Sequence, residues 1–194
     1  MASNARQLAE TPAAALETYA IDKTHSEAAF QIRHLVTKVR GRFGDFEGAV
    51  RLVPGAPEKS SVEFSIDAAS IDTDVADRDK HLKSADFFDV EKYPTMTFRS
   101  TKVAKAGNGA LKVTGDLTLH GVTKAVVLDV TTTPEVKGAY GETRRGFAAT
   151  AKLNRKDFGL TWSKTVEAGP VVGDQVTIAL DLEVVKDQPK TAAN

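Results

Sequence analysis

Residues 111–130 read LKVTGDLTLHGVTKAVVLDV, and their alternation decides the fold class. Leu111, Val113, Gly115, Leu117 and Leu119 share one side of an extended chain, and Lys112, Thr114, Asp116 and Thr118 share the other. Further along, Val126, Leu128 and Val130 oppose Asp129 and Thr131. A period of two is that of a β-strand with one buried and one wet face. Just upstream, Ala106-Gly107-Asn108-Gly109 supplies the chemistry of a tight hairpin.

Outward from this stretch the same period recurs. Phe30, Ile32 and His34 alternate with Gln31 and Arg33; Val50 and Leu52 flank Arg51; Val62, Phe64 and Ile66 alternate with Glu63 and Ser65. Met96 and Phe98 enclose Thr97. Phe147, Ala149, Ala151 and Leu153 form another row, and Val176, Ile178, Leu180, Leu182 and Val184 the last. About eight strands result. The 20 Val, 20 Thr and 5 Ile fit a pleated, half-buried surface. Pro54-Gly55-Ala56-Pro57 reads as a turn, and Gly41, Gly44 and Gly48 within one strand-rich stretch suggest bends or bulges.

One segment breaks the period. Residues 72–88, DTDVADRDKHLKSADFF, read as one or two helical turns. Asp72 or Asp74 is the expected N-cap, Asp77 falls in the first turn, and Leu82 points inward. Eight one-sided strands with one short helix bury their apolar faces by closing into a barrel, or by stacking as a two-sheet sandwich. Ala28, Gly115, Ala149 and Ala151 are small residues on the apolar face, which either leave interior volume unfilled or fit the taper of a barrel.

The 194-residue length fits a single domain. Lys+Arg and Asp+Glu number 26 each, which argues against a general nucleic-acid binder. Without cysteine there are no disulfides, thiolate metal sites or thiol nucleophile. No apolar run approaches the ~18 residues needed to span a bilayer as a helix. Residues 1–18 contain no continuous apolar run of a secretory signal and are expected to form a flexible or weakly helical extension. Residues 19–186 are the expected folded unit, and 187–194 a frayed tail.

Catalytic motifs are absent: no phosphate loop, no HExxH, no Gly-x-Ser-x-Gly, no dinucleotide fingerprint. His25, His34, His81 and His120 are widely spaced, so a metal site would have to assemble in space. His34 shares the apolar face of Phe30 and Ile32 and needs a hydrogen-bond partner there. Asp77 and Asp79 beside His81 offer an acid/base or metal-dependent enzyme as the alternative reading. A solvated helix end whose Arg and Asp pair locally or cap the turn is the simpler reading of both carboxylates. Arg144-Arg145 and Arg155-Lys156 are basic pairs suited either to an anionic head group or to ordinary surface charge.

Five ordered stretches carry a resemblance: IDKTHSEAAFQIRHL (21–35), VRGRFGDFEGAV (39–50), SIDAASIDTDVADRDKHLKSADFFDVEKYPTMTFRST (65–101), GDLTLHGVTKAV (115–126) and LNRKDFGL (153–160). Together they resemble the YceI-like family of lipocalin-like polyisoprenoid-binding proteins. The resemblance implies an all-β, eight-stranded antiparallel barrel with a short helix at one end. Its elongated apolar pore would hold an isoprenoid chain, a quinone or polyprenyl tail, or a fatty amide or fatty acid. Homodimers are common among such proteins, and a hydrocarbon ligand calls for no catalysis and no cofactor beyond the bound lipid itself. Transient membrane contact fits a lipid ligand. With no recognisable signal peptide, the expected compartment is the cytoplasm, the periplasm being the alternative.

The physics of such a site explains why no motif is visible. A hydrocarbon tail needs apolar walls and volume, and each five-carbon unit contributes up to about 4 kcal/mol gross on burial, offset by the loss of its freedom. The expected lining is Phe30, Ile32, His34, Phe64, Ile66, Met96 and Phe98 from the first half of the chain. Leu117, Leu119, Leu128, Val130, Phe147, Ile178 and Leu180 come from the second. Arg78, His81 and Trp162 are expected at the mouth or head group.

Overall fold

The computed structural model describes residues 15–167 and 169–187. Within them eight long strands form an antiparallel meander that closes on itself. β1 runs Glu17–Ile21 and, after a 3-10 turn at Lys23–His25, Glu27–His34. β2 runs Thr37–Phe43 and Phe46–Leu52, and β3 runs Ser61–Asp67 and Ile71–Asp72. The other five are β4 (Thr95–Gly107), β5 (Ala110–Leu119), β6 (Val122–Thr132), β7 (Thr143–Asn154) and β8 (Val172–Lys186).

Each strand pairs with the next in sequence, and β8 pairs with both β7 and β1. The β7–β8 ladder is continuous from Arg144↔Val185 to Asn154↔Gln175, so the ring closes as a barrel and the sandwich is excluded. The period-two rows of the sequence are its inner wall: Phe98 lies opposite Leu117, and Leu111 opposite Val130. The expectation of a barrel with one short α-helix holds.

Local chemistry sets the corners. The two-residue turns Asn108-Gly109 and His120-Gly121 have positive φ at both positions (49° and 77°; 52° and 74°). That conformation matches the twist of antiparallel strands, and Gly and Asn adopt it at least cost. Gly44 lies at the break between the halves of β2. Gly41 and Gly48 lie within regular strands, where they make room for rings rather than bends.

The helix, α1, spans Ala76–Lys83 and crosses the barrel end that also carries the β1–β2 turn, with Leu82 packed against a cluster of Phe43, Ile71, Met96, Leu119 and Phe158. Neither Asp72 nor Asp74 caps it. Its N-cap is Val75, without a side-chain hydrogen bond. Asp72 instead accepts from the Asp74 amide, bending the chain before the helix. Asp77 does fall in the first turn, with Asp79.

The first strand starts at Glu17, inside the segment expected as an extension to Thr18. Glu17 and Thr18 pair with Leu52 and Arg51 through their backbones, which side-chain period cannot report. Residues 1–14 of that extension, and 188–194 of the expected tail, lie outside the described residues.

Candidate functional site

Among the described residues, two cavities stack along the barrel axis. The inner one, about 190 Å³, is walled by Phe64, Ile66, Phe98, Leu117, Leu128, Val130, Phe147 and Leu180, with Ala28, Ala149 and Ala151 leaving room between them. Ser60 and Ser61 stand at its far end. The second, about 260 Å³, lies under α1 and takes in Phe30, Ile32 and His34 from β1 together with Arg78, His81 and Trp162. Phe43, Met96, Leu119, Leu153 and Ile178 line both, so one band of carbon side chains separates or joins the chambers.

Alternation along each strand produces this arrangement. Phe64 and Ile66, Leu117 and Leu119, Leu128 and Val130, Ile178 and Leu180 are i, i+2 pairs facing the same lumen. Each of the fourteen residues expected to line a pore faces one chamber or the other, as do the three expected at the mouth. The expectation omitted Phe43, Leu82, Phe87, Phe88, Leu153 and Leu160. The row Val39-Gly41-Phe43 shows the strand period and could have revealed Phe43. Phe87 and Phe88 follow the helix, where no period applies.

Small residues make interior room, though not all in the same way. Ala28, Ala149 and Ala151 border open space. Gly115 does not: the Phe98 ring fills the volume its side chain would occupy.

The mouth chamber carries the polar groups. Arg78 donates from Nε to Thr73 Oγ1 and from Nη2 to the Thr73 carbonyl, both at 2.7 Å. His81 Nε2 pairs with Asp86 at 2.7 Å, while its ring meets Trp162 edge-on at 4.8 Å and Phe87 at 5.1 Å. This leaves Arg78 Nη1 and His81 Nδ1 without a protein partner among the described residues. A carbonyl, phosphate or amide at the end of an apolar chain is a ligand they could meet.

Three of the four side chains in the basic pairs serve the fold, whereas Arg145 Nε is buried without a hydrogen-bond partner among the described residues. Arg155 is buried and donates to the carbonyls of Gly173 (2.8 Å), Leu160 (2.6 Å) and Trp162 (2.7 Å), tying the 155–162 turn to β8. Burial pulls its guanidinium below the usual value, partly offset by Asp174. Lys156 pairs with Asp174 at 2.9 Å. Arg144 is held by Asp22, Glu142 and Glu183 on the outside of the barrel. None of these three guanidinium or ammonium groups is spare for a head group.

The alternative acid/base residues do not converge. Asp79 accepts from the Thr73 amide and hydroxyl, and Asp77 is exposed; neither faces a chamber. His120 hydrogen-bonds the Phe158 carbonyl (3.2 Å) and packs on Tyr93. Asp22, His25 and Glu183 cluster closely enough to suggest a cation, but Arg144 Nη1 sits 2.7 Å from Asp22 and also bonds Glu183. That guanidinium already supplies the positive charge.

Comparison with known proteins agrees with this architecture. A model of the YceI-like domain matches residues 19–184. A UPF0312 protein of Ectopseudomonas mendocina is 42% identical over 171 residues, covering 87% of each chain. The crystal structure of Burkholderia cenocepacia BcnA superposes with a TM-score of 0.76 at 25% identity, over 84% of this chain and 98% of that one. A polyisoprenoid binding domain from Saccharophagus degradans shares the fold, with a TM-score of 0.63 at 18% identity over 87% and 98% of the two chains. Ordered motifs, barrel closure and the family match lead to one assignment: the chain belongs to the YceI-like family.

Proposed function

We propose that this protein binds a long isoprenoid chain along the barrel axis and carries or sequesters it without chemical change. The observation that carries the reading is the pair of stacked, carbon-walled cavities meeting at Phe43, Met96, Leu119, Leu153 and Ile178. An extended hydrocarbon tail suits such a pore, because its binding free energy comes from area removed from water rather than from directed contacts. The tail occupies the inner chamber, and a quinone or polyprenyl head group faces Arg78, His81 and Trp162 at the mouth. The structural neighbour described as a polyisoprenoid binding domain supports the ligand class.

The test is extraction of gently purified protein under denaturing conditions followed by mass spectrometry. A stoichiometric isoprenoid compound is expected, and added polyprenol or ubiquinone should raise the Tm of delipidated protein. Protein that is empty and unresponsive to both would overturn the reading.

A further inference from the structure

The turn joining β1 to β2 is built against the usual chemistry of a two-residue hairpin. His34 pairs with Thr37, leaving Leu35-Val36 as the whole turn. Leu35 has φ 47°, a left-handed conformation that a bulky side chain adopts only with strain. Val36 at its tip is 85% exposed. The same chain uses Asn108-Gly109 and His120-Gly121 where it needs equally short turns. Two aliphatic residues at this tip therefore cost both backbone strain and contact of carbon with water.

The outward face of the same hairpin is cationic. Between residues 28 and 44 the chain has Arg33, Lys38, Arg40 and Arg42 and no carboxylate. Arg42 is paired with Asp72 and Asp74. Arg33, Lys38 and Arg40 are exposed and make no ion pair among the described residues. Arg33 and Lys38 are directly opposite in the ladder, an arrangement of like charges that destabilises a sheet unless an anion offsets it. Asp174 on the adjoining strand is taken by Lys156.

The inward face of this hairpin supplies Ile32, His34 and Val39 to the mouth chamber. Alongside it, the Leu35 amide bonds Val171 (2.9 Å), which closes the small hairpin carrying Lys164 and the exposed Val166.

We propose that the Leu35-Val36 hairpin docks the barrel on an anionic bilayer surface, Val36 entering the acyl boundary while Arg33, Lys38 and Arg40 lie against lipid phosphates. An apolar tip flanked by cations is the chemistry of an interfacial anchor. Docked in this way, the mouth chamber opens toward the lipid from which a ligand would be drawn. That last consequence rests on the isoprenoid-binding reading; the docking itself does not.

The experiment is sedimentation of the full chain with phosphatidylcholine vesicles, with and without 30% phosphatidylglycerol (roughly the composition where surface charge attracts basic residues), and free of any isoprenoid. Binding to the anionic vesicles alone is expected, weakening as salt screens it. Each basic residue near the surface contributes about fivefold in affinity. Arg33→Glu with Lys38→Glu should therefore lower partitioning by at least about 25-fold, and Val36→Asp should lower it further, with Tm unchanged for these surface sites.

Equal binding to neutral vesicles, no binding to either, or full retention in the double variant overturns the proposal. So does binding of an acidic polymer such as heparin by a chain that ignores vesicles, which would assign the cations to another partner. Uptake of polyprenol from cyclodextrin, measured in parallel, separates the two readings. Uptake without vesicle binding rejects docking alone, and vesicle binding without uptake rejects the ligand alone.

Discussion

The Phe98 ring occupies the space that a side chain on Gly115 would need: a β-carbon there would lie 2.4 Å from Phe98 Cζ and 2.5 Å from the Arg99 carbonyl oxygen. Phe30 stands in the same relation to Gly41, at 2.5 Å, whereas at Gly48 the Glu63 carbonyl oxygen (2.4 Å) and Ile21 Cδ1 (2.9 Å) lie nearer than the Phe64 ring (3.1 Å). Each ring packs sideways onto a glycine of a neighbouring strand and gains contact without crossing the lumen. Aromatic–glycine pairs of this kind recur where strands curve strongly.

Gly115→Ala tests that arrangement. The added methyl cannot be absorbed by the ring alone, because backbone carbonyl 99 also blocks it. Overpacking of this type costs about 1–3 kcal/mol, read as a lower midpoint in urea. The displaced ring should also narrow the inner chamber, so a long polyprenol should lose more affinity than a short one. An unchanged midpoint would show that the wall yields.

Ile178 lines both chambers, and a charge there has no partner in a carbon-walled space. Ile178→Arg should abolish polyprenol binding, because burying the ligand beside an unpaired guanidinium costs several kcal/mol, roughly the gain from a whole isoprene unit. Retained affinity in a titration would move the ligand out of the proposed pore. The variant's circular dichroism and Tm distinguish lost binding from lost folding.

Arg155→Met should destabilise the protein by about 3–5 kcal/mol, since it strands the carbonyls of Gly173, Leu160 and Trp162 in a buried turn. Arg155→Lys should rescue little. One ammonium cannot reproduce the fork that reaches β8 and the 160–162 segment together. Chemical denaturation of both variants measures the difference, and equal stability of the lysine variant with the parent would refute the role of the fork.

Acid should weaken the fold at its outer seam. The Thr24 hydroxyl, then His25 and Arg144, hold the Asp22 carboxyl well below the ordinary range. Lys186 lowers Glu17, and Arg144 lowers Glu142. Each carboxylate is more acidic folded than unfolded, so its contribution is complete above the unfolded value of about 4 and is lost as pH falls through the folded one. Tm should stay level from pH 7 to about 5 and drop below about 4. Asp22→Asn should start lower at pH 7 and fall less steeply; a parallel curve would remove Asp22 from the account.

At the other extreme, burial and the carboxylates of Glu135 and Glu17 push the Tyr19 phenol far above its usual range. A phenol kept neutral only in the folded state contributes stability below the unfolded value of about 10 that is lost as pH rises beyond it. Tyr19→Phe should lessen the alkaline decline in Tm.

Much of this was legible in the sequence, and what was hidden has a consistent cause. Period-two rows such as Leu111-Val113-Gly115-Leu117-Leu119 fix which atoms leave water, since successive side chains of a strand must point to opposite faces. That sufficed for the strand count and for many of the side chains facing the lumen, though not for Phe43 or for Phe87 and Phe88 after the helix. It did not reveal closure, which depends on β8 pairing with both β7 and β1 over a separation that no local pattern encodes. Nor did it show that Arg155 is a buried tie rather than a surface charge, or that Asp72 bends the chain rather than capping α1.

The sequence by itself determined the strands and much of the inner face, because these follow from backbone stereochemistry and apolar period, while its ordered motifs carried the resemblance to the family. Only the tertiary structure decided that the inner face encloses two chambers instead of a solid core. Room depends on how rings such as Phe98 settle against glycines on neighbouring strands, and that is fixed by packing across strands rather than by order along the chain.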